Sequence, residues 1–258
     1  METSPGKTVA TDEPVILAIE TAGRGGSVRL VQGDKLLARA DGDPTISHSN
    51  TLLKDIQQCL DAAGVSLSDV DLLAASSGPG SFTGLRIGIA TVKALAATLD
   101  KPCIGVPTLH AVAHAAGPSS ATVALLPAGR GELFVQLLSV SPSGVVVELG
   151  EPSHLLPQTV MEKYGSTVNL KWAGSGARLY RGLIIETAGI KQSHFSENGE
   201  GRTRGGEQQG WVLAPEQEHL ARSVAVLALQ QLQSGRDVDP QALSAIYVRP
   251  SDAELKCK

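Results

Sequence analysis

Apolar residues in this chain fall into two kinds of run, one suited to strands covered on both sides and one to helices with a single apolar face. Residues 15–21 (VILAIET) are nearly continuous in apolar side chains, which predicts a strand buried on both faces. After a glycine-rich turn, residues 27–31 and 35–40 flank Gly33 and Asp34, a pair that predicts a hairpin. From Ser47 or Ser49 to Ala63 the residues Leu52, Leu53, Ile56 and Leu60 recur at helical spacing. A serine can cap the start and Gly64 supplies the stop. Residues 71–76 (DLLAAS) predict the next strand, and the loop 78–86 (GPGSFTGLR) leads into a helix, rich in Ala, Leu, Ile, Val and Gly, that ends near Asp100.

Strand character resumes at 103–106, a short helix follows to about residue 116, and strands are predicted at 121–128, 132–140 and 145–149. Residues 172–177 (WAGSGA) predict a strand turning into a helix over 178–187. A long helix is expected over 215–233, where Leu220, Val224, Leu227 and Leu232 approach helical spacing, and a short strand over 245–248. This order of elements predicts an α/β fold of two related lobes. The first lobe is read as 14–106 joined by the helix 215–233, and the second as 107–190 joined by 236–258. Residues 1–13 read as a flexible polar tail. Phe195 is the only large apolar residue between Lys191 and Gly210, so 191–210 reads as a mobile polar loop.

Charge and cysteine usage narrow the classes. A formal net charge of -4 lacks the basic excess of a protein that neutralises many phosphates unaided. Cys59, Cys103 and Cys257 lie far apart with no CxxC spacing, which excludes a zinc knuckle or redox pair and suits a reducing compartment. The first residues carry no apolar core of a signal peptide, and no apolar run approaches a membrane span, so a soluble cytoplasmic protein is expected.

Two glycine-rich turns are the candidates for ligand chemistry. The turn after the first strand offers Thr21 and Gly23, and the later loop offers Gly78, Gly80, Ser81 and Thr83, with backbone amides at a helix start that can cradle a phosphate. Neither turn is a Walker loop, because no Gly-Lys-Ser/Thr closes it. The plainer reading is that the glycines serve tight turns and close packing. His110 and His114, four apart on a predicted helix, share a face and could hold a metal, though packing histidines are the expected outcome. With no GxSxG elbow and scattered carboxylates, no catalytic constellation is visible.

The stretches ILAIET (16–21), SVRL (27–30), SHSNTLL (47–53), SGPGSFTGLRIGIATVKALA (77–96), KPCIGVPTL (101–109), AGRGELFVQL (128–137), WAGSGA (172–177) and IYVRPSDAELK (246–256) resemble, in that order, the TsaB (YeaZ) family. The resemblance implies a two-lobed actin-like ATPase (ASKHA, RNase H-like) fold. It also implies a non-catalytic role beside TsaD, the paralogue that carries the metal and transfers threonylcarbamoyl to A37 of tRNA, with the small ATPase TsaE as a further partner.

In register with that family, the TsaD histidines would fall at Thr108 and Val112, so His110 and His114 are turned by roughly 200° on the helix. The partner interface implied is a helix pair. Leu52, Leu53, Ile56 and Leu60 on one helix, and Leu85, Ile89, Val92 and Ala96 on the other, are its expected residues, with Gly84 and Gly88 admitting a neighbouring helix.

A homodimer in isolation, a heterodimer with TsaD, and tRNA contact only through the complex follow as expectations. No metal or cofactor is required, with at most weak ATP or ADP binding. The alternatives are an active actin-like ATPase or kinase, against which Glu20 stands where such enzymes carry an aspartate, and a glycoprotease, for which no nucleophile is visible.

Overall fold

The computed structural model describes residues 13–43, 45, 48–197, 202–204, 207–217, 219–235 and 243–248. The expectations for residues 1–12 and for most of 236–258 lie outside these. The first lobe comprises β1 (Val15–Glu20), β2 (Ser27–Gln32), β3 (Lys35–Asp41), α1 (His48–Ala63), β4 (Leu72–Gly78), α2 (Phe82–Leu99) and β5 (Cys103–Pro107). Its sheet runs β3-β2-β1-β4-β5, antiparallel through the hairpins and parallel from β1 through β4 to β5. The unbroken apolar run of β1 has a direct cause. Ile16 and Ala18 enter one core cluster while Leu17 and Ile19 enter another on the opposite face. Leu72 and Ala74 of β4 divide from Leu73 and Ala75 in the same way.

The chain continues with α3 (Thr108–Ala115), β6 (Ser119–Gly129), β7 (Glu132–Val140), β8 (Val146–Glu148), β9 (Ser153–Leu155), α4 (Pro157–Tyr164), β10 (Leu170–Ala173), α5 (Ser175–Leu179), α6 (Arg181–Ile190), β11 (Phe195–Glu197), β12 (Arg202–Arg204), β13 (Glu207–Gln209), β14 (Trp211–Leu213) and α7 (Ala221–Gln233). The second sheet runs β11-β14-β10-β6-β7-β8, with β9 also paired to β7. α1 and α2 cover the outer face of the first sheet, and α4, α5 and α6 that of the second. α3 and α7 lie between the sheets, where one continuous cluster draws on both lobes, from Ile16 and Ile104 to Phe134 and Leu138. On the far side Trp172 and Trp211 are fully buried, their ring centroids 5.0 Å apart. Such burial contributes about 1.5–3 kcal/mol for each large apolar side chain.

Several expectations are corrected. α7 starts at Ala221 instead of 215, because Ala214 still donates to Trp172 O at 2.9 Å as an extension of the β14 ladder. The Ala221 amide then finds Ser27 Oγ at 3.3 Å. The polar stretch 191–210 contains β11 and the β12–β13 hairpin. β11 is held by backbone pairing to β14 and by ion pairs of Glu197 with Arg181 and Arg178, which a reading of apolar content does not register.

Residues 245–248 form no strand. A single ladder-like bond, Ile246 N to Ser77 O at 2.7 Å, fastens them to the first lobe, where Leu243 and Ala245 join the cluster under α1 and α2. In the described part of 236–258, Leu243 and Ala245 thus lie against the first lobe, while Val248 packs on the cluster between the sheets. α2 is also long and apolar enough, by length and composition, to cross a membrane, with a mean hydropathy of 1.3. Here it packs one face on β4.

Candidate functional site

Because β1 and β4 are parallel neighbours, the two glycine-rich turns that leave their C-terminal ends meet at one edge of the first sheet. Their amides are engaged with the protein itself. Thr21 N donates to Ser76 Oγ at 3.3 Å, Gly23 N to Glu20 Oε1 at 2.8 Å, and Ser81 N to Ala22 O at 2.8 Å. Gly78 N donates to Thr108 Oγ1 at 3.1 Å. Ser81 caps α2, its Oγ accepting from Gly84 N at 3.2 Å. Thr83 lies exposed in the first turn of that helix.

The glycines allow chain to lie against chain. A Cβ on Gly80 would meet the Cβ of Ala22 at 2.6 Å, and one on Gly78, at φ +109°, would meet Ile246 O at 2.7 Å. The Glu20 carboxyl group, 2% exposed, is tucked into the first turn, where it accepts from Gly23 N. An anion held by the amides of Thr21, Gly23, Gly78 and Ser81 would have to displace these internal acceptors.

The histidines are spoken for by the fold. His110 Nε2 lies 2.9 Å from Glu148 Oε1, tying α3 to β8. His114 Nδ1 lies 3.0 Å from Ser223 Oγ on α7. Burial, and secondarily the nearby Arg222, hold the His114 imidazole below its ordinary pKa. Thr108 and Val112, the positions in register with the TsaD histidines, are buried. Among the described residues no group of three or more His, Cys, Asp and Glu is placed to hold a metal.

The expected interface residues need correcting. Leu52, Ile56, Leu60, Leu85, Ile89, Val92 and Ala96 are all core, none more than 7% exposed, while Leu53 alone of the eight stands out, at 69%. The helical stripe legible in the sequence is the stripe that faces the chain's own sheet. Gly84 and Gly88 turn inward with it, and the neighbour that Gly88 admits is Thr21. Beside Leu53, the outward face of α2 carries the small residues Ala90, Ala94 and Ala97.

One surface cluster was not foreseen. Phe82, Arg86 and Tyr247 come together at the start of α2, with the guanidinium 3.8 Å from the Phe82 ring centroid. Phe82 and Arg86 are visible in sequence as neighbours four apart on a helix. Nothing in the sequence announces that Tyr247, 161 positions further on, meets them.

Comparison with known proteins completes the description. Residues 45–177 match the family model for TsaD, tRNA N6-adenosine threonylcarbamoyltransferase. The tRNA threonylcarbamoyladenosine biosynthesis protein TsaB of Escherichia coli (strain K12) is 38% identical over 246 residues, spanning 93% of this chain and 97% of that protein. A tRNA N6-adenosine threonylcarbamoyltransferase of Sphingopyxis alaskensis is 37% identical over 123 residues, which cover 46% of this chain but only 33% of that protein. The structure of YeaZ from Pseudomonas aeruginosa superposes with a TM-score of 0.71 at 26% identity, covering 91% of this chain and 99% of that one. The agreement with the transferase is confined to a shared portion, whereas the agreement with TsaB runs from end to end. With its mixed α/β architecture of two main sheets, the chain belongs to the TsaB (YeaZ) family of tRNA threonylcarbamoyladenosine biosynthesis proteins.

Proposed function

We propose that this chain is a non-catalytic docking subunit: it binds a TsaD-type transferase through the outward faces of α1 and α2 and supports that partner, together with TsaE, in modifying tRNA. The observation that carries this reading is the exposure of α2. The helix is apolar along its length, yet only 33% of it is buried within the chain. Its exposed stripe is small and uncharged at Ala90, Ala94 and Ala97, and α1, which packs against α2, carries the exposed Leu53. Alanines let a second helix approach to about 8–10 Å, and a stable interface of ordinary size takes about 800 Å² from each partner.

The amide geometry supports docking over nucleotide turnover. Four of the turn amides, those of Thr21, Gly23, Gly78 and Ser81, already have protein acceptors, so ATP or ADP would bind weakly if at all. The same apolar face would pair two copies of this chain when no transferase is present. The reduced, buried thiols of Cys59 and Cys103 suit a cytoplasmic protein that reaches tRNA only through its partners.

The test is reconstitution. The chain is purified with a TsaD-type transferase and TsaE, and modification of tRNA, ATP turnover by the chain alone, and complex formation are measured for the wild type and for Leu53→Glu/Ala94→Glu. Rescue of modification by the wild type without turnover of its own, together with loss of the complex in the double variant, is the expected result. Turnover by the isolated chain, or undiminished complex in a folded double variant, would overturn it.

A further inference from the structure

Residues 243–248 run along one side of α2 as a strap without regular secondary structure. Lys93 Nζ donates to Leu243 O at 3.2 Å, and Arg86 Nε donates to Tyr247 OH at 3.2 Å. Arg86 and Lys93 are seven apart, two turns of one helix stripe, so the strap descends antiparallel to α2 and is fastened at both ends. Between these points Ile246 N donates to Ser77 O at 2.7 Å, and Leu243 is buried at 6% exposure.

The far end of the strap is different in kind. Phe82, Ile246 and Tyr247 are 40%, 37% and 50% exposed, and the Phe82 and Tyr247 rings lie 5.4 Å apart. The Arg86 guanidinium rests over the Phe82 ring and is tied to the tyrosine hydroxyl. Among the described residues no carboxylate pairs with it.

An arginine held in this way has already lost most of its rotamer freedom, so little further ordering is needed when a partner engages it. Aromatic and arginine anchors of this composition dominate protein interfaces. The cluster also sits on α2 itself, so it continues the small-residue face at Ala90 and Ala94 toward the helix start. With no carboxylate paired to Arg86 among the described residues, the cluster is complementary to a helix that brings an apolar side chain to the two rings and a carboxylate to Arg86.

We propose that Phe82, Arg86 and Tyr247, preset by the strap 243–248, form the anchor of the docking face, and that the sister transferase engages it with an acidic residue beside an apolar one. This rests on the docking function proposed above, and the measurements separate the two. Affinity for the TsaD-type partner is determined by calorimetry at two salt concentrations for the full chain, for Arg86→Gln, Tyr247→Ala and Tyr247→Phe, and for Ala94→Glu as a variant of the helix face. Thermal unfolding is recorded for each.

Arg86→Gln and Tyr247→Ala should each weaken binding by about thirtyfold without lowering the melting temperature in proportion. Arg86→Gln should also flatten the salt dependence, and Tyr247→Phe, which keeps the ring and loses the hydroxyl, should fall between wild type and alanine. If Ala94→Glu abolishes binding while the Arg86 and Tyr247 variants bind as wild type, the anchor is refuted and the docking face survives. If none of the four alters binding, both fail. An unchanged salt slope in Arg86→Gln refutes the acidic character of the partner site.

Discussion

Gly88 in α2 lies so close to Thr21 that a Cβ placed on the glycine would fall 2.2 Å from the threonine Oγ1. The helix is thereby seated on the turn that follows β1. The Oγ1 of Thr21 is buried and has no hydrogen-bond partner among the described residues. Gly88→Ala should destabilise the protein by about 1–3 kcal/mol through overpacking. Adding Thr21→Ala, which removes the obstructing oxygen, should restore most of the loss. Urea unfolding of the two single variants and the double variant checks this as a non-additive cycle.

Ser81→Ala removes the cap of α2 and should lower stability by about 1 kcal/mol. If the loop is structural, the same variant leaves any nucleotide affinity of the chain unchanged. Chemical denaturation and a nucleotide titration of the one variant measure both.

Lys171 closes the C-terminal end of α3, its Nζ donating to the carbonyls of Ala116, Gly117 and Pro118 at 3.0, 3.2 and 2.8 Å. Burial pulls its pKa down, and among the described residues no carboxylate pairs with the ammonium. Lys171→Met strands these acceptors and should cost about 1–3 kcal/mol. Because α3 lies between the lobes, the loss should appear as a lower melting temperature of the whole protein and not as local fraying.

His114 makes the fold sensitive to acid. Burial first, and Arg222 second, depress its pKa below the ordinary 6.5. As pH falls from about 6.5 toward the depressed value, the unfolded chain takes up a proton that the folded chain refuses, so stability decreases over that window. His114→Gln, which retains a polar partner for Ser223, should show a smaller decrease between pH 7.5 and pH 5.5 in paired denaturant titrations. An equal decrease in the variant would remove His114 as the cause.

Much of the fold was legible residue by residue. Gly33 and Asp34 marked the β2–β3 hairpin and Gly64 the end of α1 with φ +64°, whereas α2 begins at Phe82, inside the stretch 78–86 that reads as a loop. The amides of the two glycine turns were read as candidates for phosphate, while their internal acceptors, Ser76 Oγ and Thr108 Oγ1, come from 55 and 30 residues away in the chain. Three-residue strands such as β9, β11 and β14 escaped because so short a segment carries no period. α4 could have been found from Pro157 at its first turn and from Val160, Met161 and Tyr164 on one face.

The sequence by itself determined the local elements, the α/β order and the family, since periodicity, turn residues and motif strings are properties of neighbours along the chain. It also showed that α1 and α2 each have an apolar stripe. Which neighbour that stripe meets was decided only in three dimensions. Leu52 and Leu53 are adjacent and chemically identical, yet one is 5% and the other 69% exposed, because successive helix positions are rotated by about 100° and only one of them faces the sheet. The same holds for Arg86 and Tyr247: their contact exists because the chain returns to α2 after building a second lobe, and burial of Leu243 holds it there.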